Sequence, residues 1–244
     1  MSRLNNKIAV ITGGATGIGF AAAKRFIDEG AVVYIFGRRQ DALDKAVAEL
    51  GSSARAVRGS VTDQSDIDRL FDTVKAEHGR VDVLFANAGT ATFAPLGDVT
   101  AEHYDGLFDL NVKGLIFTVQ TALTLMAAGS SVILTGSSLS AMGSPGASVY
   151  AATKAAVRAL VRSWVLDLKG AGVRFNVLSP GPVRTELTEG LFDDAVMNEV
   201  GASTVVGRVG DPAEIGAAAA FLASADSSFM TGAEVFVDGG VAQV

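Results

Sequence analysis

The sequence predicts an α/β fold in which a doubly wound parallel sheet forms a single domain over residues 1–244. Short apolar runs rich in β-branched residues alternate with helical segments, at the spacing that βαβ units require. The first of these runs leads into a glycine-rich turn that opens a helix. No Pro/Ser-rich linker or block of charge divides the chain, and its five prolines are scattered. We therefore expect one undivided domain.

The predicted strands are short and almost continuously apolar, as expected for parallel strands covered by helices on both faces. They lie at residues 7–11, 31–36, 54–58, 81–86, 130–134 and 173–178, with a final strand and turn in 234–240. Helices are predicted at residues 20–29, 41–50, 65–78, 104–128, 149–168 and 212–223. Asn111 and Gly114 interrupt the fourth helix, since both residues are weak helix formers.

The first strand ends in the glycine-rich segment Thr12–Gly19. Gly13 allows a sharp turn, Gly17 allows the backbone to approach a pyrophosphate, and Gly19 allows the helix to pack close to the strand. The helix that follows offers free N–H groups and the positive end of its dipole. A strand, a glycine-rich turn and a helix in this order predict a dinucleotide site, although a tight βα turn without a ligand has the same local pattern.

The second strand ends in Gly37, Arg38 and Arg39. In dinucleotide-binding units an acidic residue here binds the ribose 2′-hydroxyl, whereas arginine accommodates a 2′-phosphate. The strand end carries two guanidinium groups and no carboxylate, so NADP(H) is favoured over NAD(H). The alternative is that both arginines only form the solvated start of a helix.

A proton-transfer site is predicted where Tyr150 and Lys154 share one face of the fifth helix, one turn apart. A nearby ammonium group favours the phenolate and lowers the pKa of a tyrosine from about 10 towards neutral pH. Ser137 lies thirteen residues before Tyr150, just after the fifth strand. The three side chains together are suited to polarise a carbonyl or an alcohol. Tyr-x-x-x-Lys alone is weak evidence, because both residues are common on solvated helix faces.

Composition excludes several classes of function. The net charge is −6 with dispersed basic residues, which argues against binding to nucleic acid or to an anionic membrane. The absence of cysteine excludes disulfides, thiolate metal sites and cysteine nucleophiles. His78 and His103 lie among polar residues without a second ligand nearby, so no metal site is predicted. No signal-peptide core or apolar run of about 20 residues is visible, and we expect a soluble, cytoplasmic protein.

Two further regions allow alternative interpretations. The helices over 104–128 and 149–168 are apolar around much of their circumference, which indicates either an oligomer interface or deep burial in one subunit. The segment at about 185–205 mixes apolar and acidic residues without a steady period. We interpret it as a mobile substrate lid, while a plain surface helix is equally compatible with the pattern.

Taken together, these residues closely resemble the short-chain dehydrogenase/reductase family. The resemblance extends from Ile8 to Gly240 and rests on many motifs in a fixed order. The matching segments are Thr12–Gly19, Asn87–Gly89, Asn111, Ser137, Tyr150-x-x-x-Lys154, Pro180–Val183 and Val237–Gly240.

The resemblance implies a seven-stranded, Rossmann-like sheet and hydride transfer between a nicotinamide and a carbonyl or secondary alcohol. By analogy with the family, Tyr150 is the general acid in reduction and the general base in oxidation, while Ser137 binds the substrate oxygen. The same analogy implies that Lys154 lowers the pKa of Tyr150 and holds the nicotinamide ribose. Asn111 is expected to support a water that relays protons.

The resemblance also assigns cofactor contacts to the glycine loop, the strand ends and the start of the lid. The expected cofactor residues are Gly13, Thr16, Gly17, Ile18, Gly19, Arg38, Arg39, Ser60, Val61, Asn87, Ala88, Gly89, Tyr150, Lys154, Pro180, Gly181, Val183 and Thr185. At Ser60 the chain departs from the family, which typically has Asp before the valine that contacts adenine. A serine hydroxyl there is still able to bond the adenine amino group.

The overall pattern looks most like reductases of ketones or dehydrogenases of secondary alcohols with lipophilic substrates, and it implies a homotetramer. Ser137, Tyr150 and Leu187 are expected to bind the substrate. The expected apolar pocket lining is Ala141, Met142, Pro182, Leu187 and Leu191. Acyl-carrier-protein reductases and NAD-linked polyol or steroid dehydrogenases share the same motifs. A catalytically silent protein that senses NADP(H) is the alternative from another class.

Overall fold

A computed structural model describes residues 2–242, so Met1, Gln243 and Val244 of the predicted domain lie outside the described residues. Its strands are β1 (Ile8–Thr12), β2 (Val32–Gly37), β3 (Ala54–Arg58), β4 (Val83–Ala86), β5 (Ser131–Thr135), β6 (Arg174–Pro180) and β7 (Glu234–Val237). They form one sheet in the order β3-β2-β1-β4-β5-β6-β7, and neighbouring strands are parallel throughout. The predicted seven-stranded, doubly wound α/β fold is therefore confirmed.

Helices connect the strands and cover both faces of the sheet. Among residues 2–242, the α-helices are α1 (Gly17–Asp28), α2 (Gln40–Leu50), α3 (Gln64–His78), α4 (Ala101–Phe108), α5 (Gly114–Leu123), α6 (Ser148–Asp167), α7 (Glu186–Leu191), α8 (Asp194–Ala202) and α9 (Pro212–Ala223). Side chains alternate along each strand, so one set packs against α1, α2 and α9 and the other against α3, α5 and α6. Helical cover on both faces explains the continuously apolar strands.

The predicted helix over 104–128 is divided into three parts. A π-helical turn, Asp109–Lys113, separates α4 from α5, and α5 ends at Leu123 rather than at residue 128. The turn contains Asn111, where the sequence predicted an interruption. Single π-helical turns occur often at functional sites because they redirect one side chain without ending the helix.

The segment proposed as a lid contains two short helices, α7 and α8. Thr185 caps α7 and Asp193 caps α8, each through a hydrogen bond from a backbone N–H to its side chain. Met197 is buried, whereas Leu187 and Leu191 are 45% and 36% exposed. An apolar surface on α7 is therefore left uncovered, and lid movement remains a prediction.

Burial within the subunit accounts for much of the apolar surface of α5 and α6. Val119 of α5 and Val157 and Val161 of α6 are buried against the sheet. Phe117 and Leu166 are 38% and 73% exposed, so part of each helix also faces outwards. No helix within residues 2–242 is both long enough and apolar enough to cross a membrane.

Candidate active site

A cavity of about 580 Å³ opens at the carboxyl ends of the strands. The order of the sheet reverses between β1 and β4, and doubly wound folds bind ligands in the crevice at such a switch point. Most of the predicted site residues line this cavity: Gly13, Thr16, Gly17, Ile18, Arg38, Arg39, Ser60, Val61, Asn87, Ala88, Gly89, Ser137, Tyr150, Lys154, Pro180, Gly181, Val183, Thr185 and Leu187.

Of the predicted catalytic and cofactor residues, Gly19 and Asn111 do not line the cavity. A Cβ atom on Gly19 would lie 2.1 Å from the carbonyl oxygen of Gly13, so this glycine serves the close packing of α1 on the loop. Asn111 is buried behind the cavity wall, with 1% of its surface exposed.

The glycine loop has the backbone that a bound phosphate group requires. Gly13 and Gly17 have φ angles of +66° and +54°, in the left-handed region that favours glycine. A Cβ atom on Gly13 would approach the Cα of Ala88 to 3.0 Å, which leaves no space for a side chain. The loop leads directly into the amino terminus of α1, whose N–H groups and dipole favour an anion.

The distribution of charge along the cavity fits an extended dinucleotide. Arg38 follows β2 and Ser137 follows β5, and these strands are three positions apart in the sheet, or about 14 Å. The arginines are suited to a phosphate beyond the adenine ribose, while Lys154 lies near the predicted reaction site. The residues present therefore fit a nicotinamide dinucleotide.

Asn87 joins the carboxyl ends of three strands beneath the cavity. Its Nδ2 donates hydrogen bonds of 3.2 Å to the carbonyl oxygens of Thr12 and Gly13, and its Oδ1 accepts one of 3.2 Å from Thr135 Oγ1. The backbone N–H groups of Asn87 and Ala88 both donate to Thr12 Oγ1 at 3.0 Å. The Asn87 side chain is thus fully engaged in holding β1, β4 and β5 in register.

Tyr150 and Ser137 are brought together at the wall of the cavity. Ser137 caps a short 3₁₀ turn after β5, where its Oγ accepts the N–H of Leu139 at 3.2 Å. Burial raises the pKa of Tyr150, and a hydrogen bond with the Ser137 side chain acts in the opposite direction. The phenol therefore retains its proton at neutral pH and is able to donate it.

Lys154 lies beneath the Tyr150 ring, with its Nζ 5.7 Å from the ring centroid. The ammonium group donates a hydrogen bond of 3.0 Å to the carbonyl oxygen of Thr135, and the residue is only 4% exposed. Burial lowers the pKa of Lys154 to about 8. The expected influence of Lys154 on the pKa of the Tyr150 phenol remains a prediction.

Asn111 holds the loop that follows β4. Its Oδ1 accepts the N–H of Thr90 at 2.9 Å, and its Nδ2 donates to the Thr90 carbonyl oxygen at 2.9 Å. The same Nδ2 reaches Thr153 Oγ1 at 3.2 Å, which links the π-helical turn to α6. The side chain thus connects the loop to the helix that carries Tyr150, and the proposed water relay remains a prediction.

The two predicted phosphate-binding arginines differ in their surroundings. Arg39 forms a two-pronged ion pair with Glu186, the first residue of α7. Among residues 2–242, the Arg38 side chain has no hydrogen-bond or ion-pair partner. Ser60, at the position where the family has Asp, pairs its Oγ with Thr62 Oγ1 at 2.8 Å, and its N–H donates to Asp66.

The expected substrate-pocket lining coincides with this cavity at one residue only. Leu187 lines the cavity, but Ala141, Met142, Pro182 and Leu191 do not. Ala141 instead lines a separate cavity of about 190 Å³ with Arg158 and Glu234. A 3₁₀ turn follows Ser137 and directs Ala141 away from the cleft. The sequence analysis did not predict this turn.

An aromatic pair that the sequence reasoning missed, Phe93 and Phe192, contacts Tyr150 through Phe93. The ring centroid of Phe93 is 6.0 Å from that of Tyr150 and 5.9 Å from that of Phe192. Phe93 follows the loop held by Asn111, and Phe192 directly follows α7. Within residues 2–242, no group of three or more His, Asp or Glu side chains is arranged to hold a metal ion.

The fold and the lining of the cavity are those of a dinucleotide-binding α/β protein, with Ser137, Tyr150 and Lys154 at one side of the cavity. Comparison with known proteins identifies the family: the family model described as enoyl-(acyl carrier protein) reductase matches residues 13–242. The chain belongs to the short-chain dehydrogenase/reductase family, whose members use a nicotinamide cofactor.

Individual relatives cover almost the whole chain. It is 56% identical over 246 residues to oxidoreductase asL5 of Sarocladium schorii, covering 100% of this chain and 99% of that protein. It is 36% identical over 245 residues to the NADP-dependent (R)-specific alcohol dehydrogenase of Lentilactobacillus kefiri, with 98% and 97% covered. A short-chain type dehydrogenase/reductase structure from Mycobacterium marinum superposes with a TM-score of 0.92 at 32% identity, covering 99% and 97%.

Proposed function

We propose that the protein transfers a hydride between NADP(H) and a lipophilic ketone or secondary alcohol, with Tyr150 as general acid/base. The observation that carries this proposal is one continuous cavity lined by Ser137, Tyr150 and Lys154 and also by Arg38 and Arg39. The similarity to the NADP-dependent alcohol dehydrogenase of Lentilactobacillus kefiri supports it.

Each side chain has a defined role in the reducing direction. Ser137 donates a hydrogen bond to the carbonyl oxygen and orients it towards the phenol. Tyr150 transfers its hydroxyl proton to that oxygen, and the charged Lys154 stabilises the phenolate that remains. When bound, NADPH supplies the hydride that the carbonyl carbon accepts, which completes the alcohol. In oxidation the same groups act in reverse.

The same proposal extends to the assembly, the lid and the location of the protein. The uncovered surfaces of α5 and α6 support a homotetramer, and α7 and α8 are proposed as the substrate lid. A cytoplasmic location is supported by the absence of cysteine. NAD(H) is the second candidate cofactor, because Arg39 is already paired with Glu186.

The test is a screen of ketones and secondary alcohols, including aryl, cyclic and aliphatic compounds, by nicotinamide absorbance with both cofactors. Tyr150→Phe is expected to lower kcat by ~10²–10⁴-fold, because general acid/base catalysis contributes about that much. Near-normal turnover in this variant would refute the assigned role. Tight NADPH binding without turnover of any ketone would instead favour a nucleotide-sensing protein.

A further inference from the structure

Arg39 and Glu186 form an ion pair across the cofactor cavity. Arg39 Nη1 lies 2.7 Å from Glu186 Oε1, and Arg39 Nη2 lies 2.7 Å from Glu186 Oε2. The arginine precedes α2 and the glutamate begins α7, and both residues line the cavity. Two parallel hydrogen bonds of this kind match the planar guanidinium fork to the carboxylate.

The carboxylate lies where anionic parts of a dinucleotide are expected. Its hydrogen-bond partners are Arg39 and Thr16, and both of these are predicted cofactor residues. These contacts lower the pKa of Glu186, and the ion pair raises the pKa of Arg39. Both groups are therefore charged at neutral pH, and the charge of Arg39 is already neutralised by a residue of the protein itself.

A 2′-phosphate would compete with this carboxylate. Like charges repel, so a phosphate that approaches Arg39 must either displace Glu186 or share the guanidinium with it. NAD(H) carries a hydroxyl group in place of the phosphate and requires no such exchange. Arg38, without a side-chain partner among residues 2–242, is available to a phosphate in either case.

We propose that Glu186 is a specificity-determining residue of the cofactor site. Its carboxylate competes with the 2′-phosphate for Arg39 and so narrows the preference for NADP(H) over NAD(H). The inference rests on the proposed cofactor function, in which the arginines bind the 2′-phosphate. Glu186 contacts no reacting atom and acts on cofactor choice through Arg39.

The test compares binding of NADPH and NADH to the wild type and to Glu186→Gln, by nicotinamide fluorescence titration without substrate. The amide keeps the size of the side chain and removes its charge. We expect the ratio of Kd for NADPH to Kd for NADH to fall about two- to fivefold in this variant, since an exposed ion pair has an effect of this size. The difference should shrink at high salt, because exposed charges are screened.

Two further variants identify the cause. Glu189 lies on the same helix, but its carboxylate is 3.6 Å from Arg184 and the residue does not line the cavity. Glu189→Gln should therefore leave the ratio of the two Kd values unchanged. In an Arg39→Ala background, Glu186→Gln should no longer alter that ratio. An equal effect on both cofactors, weaker NADPH binding, or a full effect without Arg39 would overturn the inference.

The titration separates this inference from the proposed reaction. If the Kd ratio shifts as expected but no ketone or alcohol is turned over, the role of Glu186 stands and the proposed reaction fails. If ketones are reduced with NADPH and the ratio does not shift, only the role of Glu186 fails. A wild type that binds NADH but not NADPH overturns both the inference and the NADP(H) assignment.

Discussion

Lys154 Nζ lies 3.0 Å from the carbonyl oxygen of Thr135 and is almost completely buried. One hydrogen bond replaces only part of the hydration that the ammonium group loses on folding, which explains why its pKa falls to about 8. The buried charge of Lys154 is therefore expected to lower the free energy of unfolding at neutral pH, although the same charge is needed beside Tyr150.

We expect Lys154→Met to increase the free energy of unfolding at pH 7 by about 2 kcal/mol. The shift of the lysine pKa from 10.5 to about 8 corresponds to about 3 kcal/mol, and the lost hydrogen bond to Thr135 offsets about 1 kcal/mol of this. Urea denaturation of both proteins measures the difference.

The sign of the pH dependence follows from the direction of the shift. A lowered folded-state pKa means that the unfolded chain binds more protons between about pH 8 and pH 10.5, so raising the pH through this window relieves the penalty. The advantage of Lys154→Met should therefore shrink from pH 7 to about pH 10. Lys169→Met, at an exposed position after α6, is the matched control and should show no such trend. A constant advantage at all pH values would contradict the explanation.

The pKa of Lys154 also predicts how the proposed reduction depends on pH. Above about pH 8 the amine becomes neutral and no longer stabilises the phenolate that Tyr150 forms when it donates its proton. We expect kcat for ketone reduction to fall above about pH 8, measured by steady-state rates with saturating cofactor. Lys154→Arg keeps a positive charge, so the falling limb should disappear even where kcat is lower. A limb that persists unchanged in this variant would point to another group.

The Phe93–Phe192 pair predicts a preference for flat, aromatic substrates. The Phe93 ring packs edge-to-face against the Tyr150 ring and also contacts Phe192, so an apolar aromatic cluster lies beside the phenol, and aromatic groups pack favourably in such contacts. We expect Phe93→Ala to raise KM for an aryl ketone about three- to tenfold, which corresponds to the loss of one aromatic contact. KM for a small aliphatic ketone should change little.

Phe117→Ala is a suitable control for this experiment, because Phe117 is also 38% exposed but lies on α5 and, among the described residues, makes no ring contact with Tyr150. It should leave both KM values unchanged. If Phe93→Ala raises KM equally for aryl and small aliphatic ketones, the aromatic cluster does not select the substrate.

The parts of the site that the sequence predicts correctly are those encoded locally. A glycine at positive φ, such as Gly13, follows from the turn that a strand–loop–helix unit requires, and parallel topology then brings the strand ends together. Tyr150 and Lys154 share a helix face because of helical periodicity alone. The interruption at Asn111 is also local, since asparagine disfavours a regular helix.

The features missed from the sequence depend on long-range docking. Arg39 and Glu186 are 147 residues apart, and no periodicity connects them. The Phe93–Phe192 pair likewise joins a loop after β4 to the end of α7. Neither contact follows from its own segment, because each depends on where α7 lies over the sheet. The position of Ala141 outside the cleft was also not predicted, because it depends on a 3₁₀ turn that the sequence pattern does not indicate.

The double hydrogen bond between Asn111 and Thr90 predicts a structural role that is separable from catalysis. Asn111→Leu keeps the branched shape of the side chain but leaves the Thr90 N–H and carbonyl groups without their partner. An unsatisfied, partly buried polar group costs about 1–3 kcal/mol, so we expect the free energy of unfolding to fall by at least that amount. Urea denaturation measures the loss, and hydrogen exchange should show faster exchange of the Thr90 amide.

Asn111→Asp separates the hydrogen bond that Asn111 accepts from those that it donates. A carboxylate still accepts the Thr90 N–H but no longer donates to the Thr90 carbonyl oxygen or to Thr153 Oγ1. Its Thr90 amide should stay protected, while stability falls because two donors are lost beside buried acceptors. If Asn111→Leu lowers kcat but leaves stability and Thr90 exchange unchanged, the side chain acts in catalysis alone and the structural role is wrong.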